Sequence, residues 1–78
     1  MEVRLGRYKH FKGKMYEVLG IARNSENPGE EFVVYRALYK SEEFGDSAMW
    51  IRPKAMFLEK VEKDGKIISR FKYIGTND

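Results

Sequence analysis

The sequence predicts an all-β fold: a small SH3-like, partly open barrel of five to six short strands with one short helical turn. Three observations carry that prediction. Turn signals recur at short intervals, at Gly13, Asn24-Ser25-Glu26-Asn27-Pro28-Gly29, Ser41 to Ser47 and Asp64-Gly65. The runs between them are rich in Val, Ile, Tyr and Phe, with little helical periodicity. The chain has 78 residues, room for one core and not two, and a small barrel limits the exposed edges of a short sheet. A single domain over 1–78 follows.

The first strand is expected near Gly6 to Phe11, followed by a tight turn at Lys12-Gly13-Lys14. The second runs from about Met15 to Arg23. It is apolar on both parities, as in a strand that bends between layers, and Gly20 is the expected bend. Asn24 to Glu31 reads as the first long loop, with Pro28-Gly29 as its turn signal. Phe32 to Tyr39 reads as a central third strand, and Lys40 to Ser47 as an exposed acidic loop.

Ala48 to Arg52 is a short fourth strand ended by Pro53, which restricts Arg52 to an extended conformation. Pro53 to Met56 fits one helical turn with proline at its first position. Met56 to Lys63 and Lys66 to Tyr73, joined by Asp64-Gly65, read as a hairpin.

Composition narrows the function classes. Hydrophobic residues make up 42% and charged residues 35%, which excludes a disordered tail. No apolar run approaches a membrane span, so no membrane partner is expected. The chain has no cysteine, which removes disulfides, thiolate metal sites and a cysteine nucleophile together. A domain this small without staples, and without a secretory signal at Met1 to Phe11, is expected in the cytoplasm. His10 is the only histidine, and Glu42, Glu43 and Asp46 lack calcium-loop spacing, so neither a metal nor another cofactor is expected.

Net charge is +3, unevenly spread. Residues 1–23 carry six basic and two acidic groups, residues 24–47 two and six, and residues 48–78 seven and four. An acidic island thus lies between basic flanks. Such flanks suit phosphates, or merely a solvated surface.

Aromatic residues supply the candidate site. Tyr8, Tyr16, Tyr35 and Trp50 all fall in expected strands. Projecting from one face they would stack on bases or enclose a cation. They equally suit the core of a small barrel, and parity alone leaves both readings open. Arg52 follows Trp50 by two residues, so an extended strand places both on one face. Its guanidinium suits a phosphate or carboxylate ligand, or an internal bond to Glu17 or Glu59. His10 suits acid–base work near neutrality, with Glu26 as the most plausible carboxylate partner, or a plain hydrogen-bonded strand end. Asn24, Ser25 and Glu26 are either a simple loop or a polar rim beside the aromatic face. Ser25 has no nucleophile-elbow context.

The stretches Gly6-Arg7-Tyr8-Lys9-His10-Phe11-Lys12-Gly13 and Tyr16-Glu17-Val18-Leu19-Gly20-Ile21-Ala22-Arg23 resemble the bacterial domain-of-unknown-function family 1653. So do Val34-Tyr35-Arg36-Ala37-Leu38-Tyr39, Trp50-Ile51-Arg52-Pro53, Met56-Phe57 and Arg70-Phe71. The resemblance extends from Gly6 to about Gly75. The family pattern typically has His-Ser-Glu-Thr where this chain has Asn24-Ser25-Glu26-Asn27, so a titrating imidazole is replaced by an amide. The resemblance implies a compact bacterial domain and no particular activity.

The leading expectation is a non-catalytic binding module for a nucleotide or single-stranded nucleic acid. Tyr8, His10, Tyr16, Tyr35, Trp50 and Arg52 would form its face, with Asn24, Ser25 and Glu26 at the rim. The first alternative is a protein–protein or homodimer module anchored by Trp50. The second is a small enzyme using His10, Arg52 and Glu26, which requires those three to converge.

Overall fold

The computed structural model describes residues 2–76. Among them the strands are β1 (Gly6–His10), β2 (Met15–Asn24), β3 (Asn27–Ala37), β4 (Lys40–Ser41), β5 (Gly45–Asp46), β6 (Met49–Pro53), β7 (Lys60–Lys63), β8 (Lys66–Ser69) and β9 (Phe71–Gly75). One short helix, α1 (Lys54–Phe57), separates β6 from β7. The all-β class therefore holds, with nine strands among the described residues rather than five or six.

Five strands form one antiparallel sheet in the order β6-β3-β2-β1-β9. The ribbons β4-β5 and β7-β8 stand apart as two-stranded sheets. No ladder joins the edges β6 and β9, so the main sheet is open.

Register explains the core. Tyr8 lies opposite Tyr16 and Tyr73, Val18 opposite Tyr35, Tyr35 opposite Trp50 and Val33 opposite Arg52. Cross-strand partners share a face. One face of the sheet thus gathers Tyr8, Val18, Val33 and Tyr35, and Phe57 and Phe71 complete the buried cluster. Phe57 is carried on α1 and stacks on Phe71, with ring centroids 4.2 Å apart and planes 8° apart. Pro53 caps that helix from outside, one position earlier than the sequence suggests, with ψ of 135°.

The expected long loop from Asn24 to Glu31 is instead a hairpin. β2 continues to Asn24 and β3 begins at Asn27, not Phe32. Asn24 accounts for the reversal: its Oδ1 accepts the Glu26 N–H at 2.9 Å and its Nδ2 donates to Glu30 at 2.8 Å. Pro28 is tolerated because β6 reaches only as far as the Phe32–Pro53 pair, which leaves the tip paired on one side. The acidic loop is also partly ordered, since Lys40 and Ser41 pair with Asp46 and Gly45.

The strand expected from Lys66 to Tyr73 divides. β8 stays with β7, while Phe71 turns into the core and leads β9 along β1. Arg70 is the crossing point: its N–H donates to Glu59 O at 3.1 Å, and its carbonyl accepts the Phe11 N–H at 2.9 Å. The bend in β2 falls where expected, as a register shift between Val18 and Gly20.

Candidate functional site

Alternation along β3 and β6 turns Tyr35, Trp50 and Arg52 to the core side of the sheet, and Tyr16 joins them from β2. The buried tyrosine cluster ends here in a shallow pocket of about 180 Å³ lined by Tyr16, Tyr35, Trp50 and Arg52. Tyr16 and Tyr35 meet edge-to-face at 5.4 Å, and both pack edge-on against Phe71. Trp50 receives an edge contact from Phe44 of the acidic ribbon at 5.1 Å, and its indole Nε1 is buried with no partner.

Arg52 is fixed from two sides. Its Nε donates to the Tyr35 hydroxyl at 3.3 Å, and its guanidinium lies 5.5 Å from the centre of the Phe71 ring. Neither Glu17 nor Glu59 reaches it, because Glu17 is held by Arg36 and Glu59 by Arg70. Among the described residues Arg52 has no ion pair. No carboxylate lines the pocket. The pocket thus holds a half-buried guanidinium on an aromatic floor, with no carboxylate in its lining.

The surroundings of His10 form a positive local field. Burial lowers the His10 pKa below its ordinary value, and the charges of Arg52, Arg70 and Lys12 lower it further. His10 Nδ1 accepts the Lys12 N–H at 3.1 Å, which leaves the proton of the neutral ring on Nε2. Burial raises the Tyr16 pKa far above 10.0, and the 2.7 Å hydrogen bond to the Tyr39 hydroxyl adds to it. At neutral pH Tyr16 therefore presents a neutral hydroxyl at the pocket, beside the Arg52 guanidinium.

The structure brings Tyr16, Tyr35, Trp50 and Arg52 together around one pocket. His10 borders them, with its ring 6.3 Å from Tyr16 and 4.9 Å from Phe71. Tyr8 is not at the pocket: it is 6% exposed, donates to Arg4 O at 2.8 Å and packs between Phe57 and Tyr73. Asn24, Ser25 and Glu26 form no rim. They sit at the β2–β3 tip, separated from Val33, the residue opposite Arg52, by about 20 Å of strand. The trio His10, Arg52 and Glu26 therefore does not converge. No group of three or more His, Asp or Glu that could hold a metal occurs among the described residues.

Sequence reasoning about the site missed Phe71, Tyr39 and Phe44. Phe71 belongs to the quoted Arg70-Phe71 pair, but only the crossing at Arg70 carries it under Arg52. Tyr39 and Phe44 lie in or beside a short ribbon with no strand pattern to give their direction.

A family model described as a protein of unknown function (DUF1653) matches residues 6–73. The structure is similar to the crystal structure of a DUF1653 protein from Bordetella bronchiseptica, with a TM-score of 0.84 and 34% identity. That similarity covers 99% of this chain and 94% of the other. No curated protein matches it. The resemblance carried by the tyrosine, tryptophan and arginine motifs thus extends through the whole fold, and the chain belongs to the DUF1653 family.

Proposed function

We propose that the domain is a non-catalytic binding module whose pocket takes an anionic group carried beside a flat ring, as in a nucleotide. The observation that carries this reading is Arg52: half-buried, oriented by Tyr35 and Phe71, and without a carboxylate. Size limits the ligand. A pocket of about 180 Å³ falls below the roughly 300 Å³ that encloses a drug-sized molecule. It accommodates one ring or one phosphate, with the remainder of the ligand outside. In the same reading the bent hairpin and its flanking ribbons form an SH3-like, partly open barrel, and the domain serves in the bacterial cytoplasm.

The test is an NMR titration of the labelled domain with uridine monophosphate. The expected result is movement of the Trp50 indole and Arg52 Nε signals, with a rise in the His10 pKa as the anion offsets its cationic neighbours. Arg52→Gln should abolish both. Unmoved Trp50 and Arg52 signals at millimolar nucleotide overturn the reading.

A second reading, protein association, is favoured by the β6 edge. The Ala37 N–H donates to Ala48 O at 2.9 Å, which sets the alternation and turns the backbone of Met49 and Ile51 outward. Their side chains are 58% and 63% exposed. Pro53 offers no N–H, so the ladder available to a partner is short. Sedimentation at two concentrations separates a homodimer from a monomer.

A further inference from the structure

A second and larger concavity lies where β1 and β9 meet the β7–β8 ribbon. Its volume is about 550 Å³, and its walls include Lys9, Lys60, Lys72, Phe11 and Ile67. No carboxylate lines it. Lys9 and Lys72 stand directly opposite each other across the β1–β9 ladder. Like charges facing across a ladder destabilise a sheet. Neither lysine, nor Lys60, has an ion pair among the described residues, and the nearest acid on that face of the ribbon, Glu62 opposite Ile67, is not in the groove lining. Glu59, the acid at the start of the ribbon, is occupied by Arg70. The groove therefore gathers three lysines and no carboxylate in its walls.

Its floor is not purely polar. Ile67 is 65% exposed, and the half-buried Phe11 presents an aromatic surface beside His10. Separated cations beside exposed ring and aliphatic surface match a strand of phosphates carrying unpaired bases. His10 connects the two concavities. It lines the groove, and its ring lies 6.3 Å from that of Tyr16, which lines the small pocket. Charge gives the path a direction: the acidic ribbon Glu42 to Asp46 touches the Trp50 end through Phe44.

We propose that the Lys9–Lys60–Lys72 groove is a second anion subsite continuous with the Arg52 pocket, and that the ligand is a single-stranded polynucleotide. This rests on the pocket reading, which supplies one end of the path. One phosphate of the strand occupies the Arg52 pocket, and the backbone then passes His10 into the groove, where the lysines meet successive phosphates. Double-stranded nucleic acid is disfavoured, because Phe11, Ile67 and the half-buried Tyr16 offer ring and aliphatic surface to exposed bases.

The test is fluorescence anisotropy with a labelled hexauridylate, beside NMR with uridine monophosphate. With Arg52 and three lysines each on a phosphate, log affinity should fall with log salt at a slope of about −2.8, at about 0.7 per phosphate. The double variant Lys9→Gln/Lys72→Gln should reduce that slope to about −1.4 and weaken the hexamer at least tenfold. It should leave mononucleotide binding at Arg52 unchanged. It should also melt no lower than the parent, because it removes a repulsion. If the mononucleotide binds and the hexamer binds no tighter, the groove proposal fails while the pocket reading stands. If the hexamer binds with full lysine dependence but without response to Arg52→Gln, the pocket reading and the continuous path both fail. If neither binds, or if the domain instead binds phosphatidylserine vesicles alone, the polynucleotide is overturned.

Discussion

The Tyr35 hydroxyl accepts a hydrogen bond from Arg52 Nε at 3.3 Å, although Tyr35 itself is only 5% exposed. One ring thus belongs to the core and also orients the single cation of the pocket. Tyr35→Phe should separate those roles. The ring still packs against Phe57 and Phe71, so the cost is about 1 kcal/mol for the lost hydrogen bond, or about 4–8 °C in melting temperature. Nucleotide affinity should fall several-fold because Arg52 loses its orientation. Thermal melts beside the titration measure both, and unchanged affinity with a lowered melting point would leave Tyr35 a packing residue only.

The stack of Phe57 on Phe71 makes a larger demand on the fold. Phe57 is 2% exposed and reaches the sheet from a four-residue helix that contributes no other buried residue. Phe57→Ala should cost about 3–5 kcal/mol, comparable with the whole stability of a small domain at the lower end of the usual range. Urea unfolding should find most of the variant unfolded or close to its midpoint in water. A loss below about 1 kcal/mol would mean that β6 and β9 are held together by other contacts.

These two cases also mark what was legible in the sequence. The two-residue spacing of Trp50 and Arg52 placed both on one face, whereas β3 read only as central, and its pairing in the sheet is what makes Val33, Tyr35 and Ala37 the buried set. Asp64-Gly65 marked the β7–β8 turn. What failed depended on non-local or side-chain chemistry. The Asn24 side chain converts a run of loop-forming residues into a hairpin, which local propensity does not register. Tyr8 and Tyr16 have the same residue type and lie opposite each other, yet only Tyr16 reaches the pocket. The difference lies in neighbours distant in sequence, since Phe57 and Tyr73 cover Tyr8.

Glycine positions allow a prediction of opposite signs. Gly6 has φ of +130°, and a Cβ there would lie 2.8 Å from the Gly75 carbonyl oxygen, a backbone atom that cannot swing aside. Gly6→Ala should destabilise by about 1–3 kcal/mol through strain at the β1–β9 edge. Gly20 was the expected bend, and the register shift is beside it. A Cβ at Gly20 nevertheless meets nothing within 4 Å, and its φ is not in the left-handed region. Gly20→Ala should be neutral or stabilising by up to about 1 kcal/mol. Chemical denaturation of the pair decides the matter, and equal losses would mean that the β2 bend itself needs glycine.

Stability should fall at both ends of the pH scale for reasons seated in the same cluster. The folded state holds the His10 pKa below its ordinary value of 6.5, chiefly by burial. Below that value the unfolded chain binds the proton first, so stability is complete above about pH 6.5 and declines as pH drops through the window down to the folded pKa. His10→Gln should flatten that part of the curve. Tyr16 acts in the opposite sense. Its pKa is raised, so the unfolded chain loses the proton first once pH climbs past 10.0, and stability declines from there upward. Tyr8 is also raised by burial and contributes in the same direction, so Tyr16→Phe should remove only part of the alkaline slope. Melting temperatures from about pH 5 to about pH 11, with phenolate absorbance followed in parallel, provide the check. Phenolate from Tyr16 appearing while the domain is still folded would show that the Tyr16–Tyr39 hydrogen bond does not hold the proton in place.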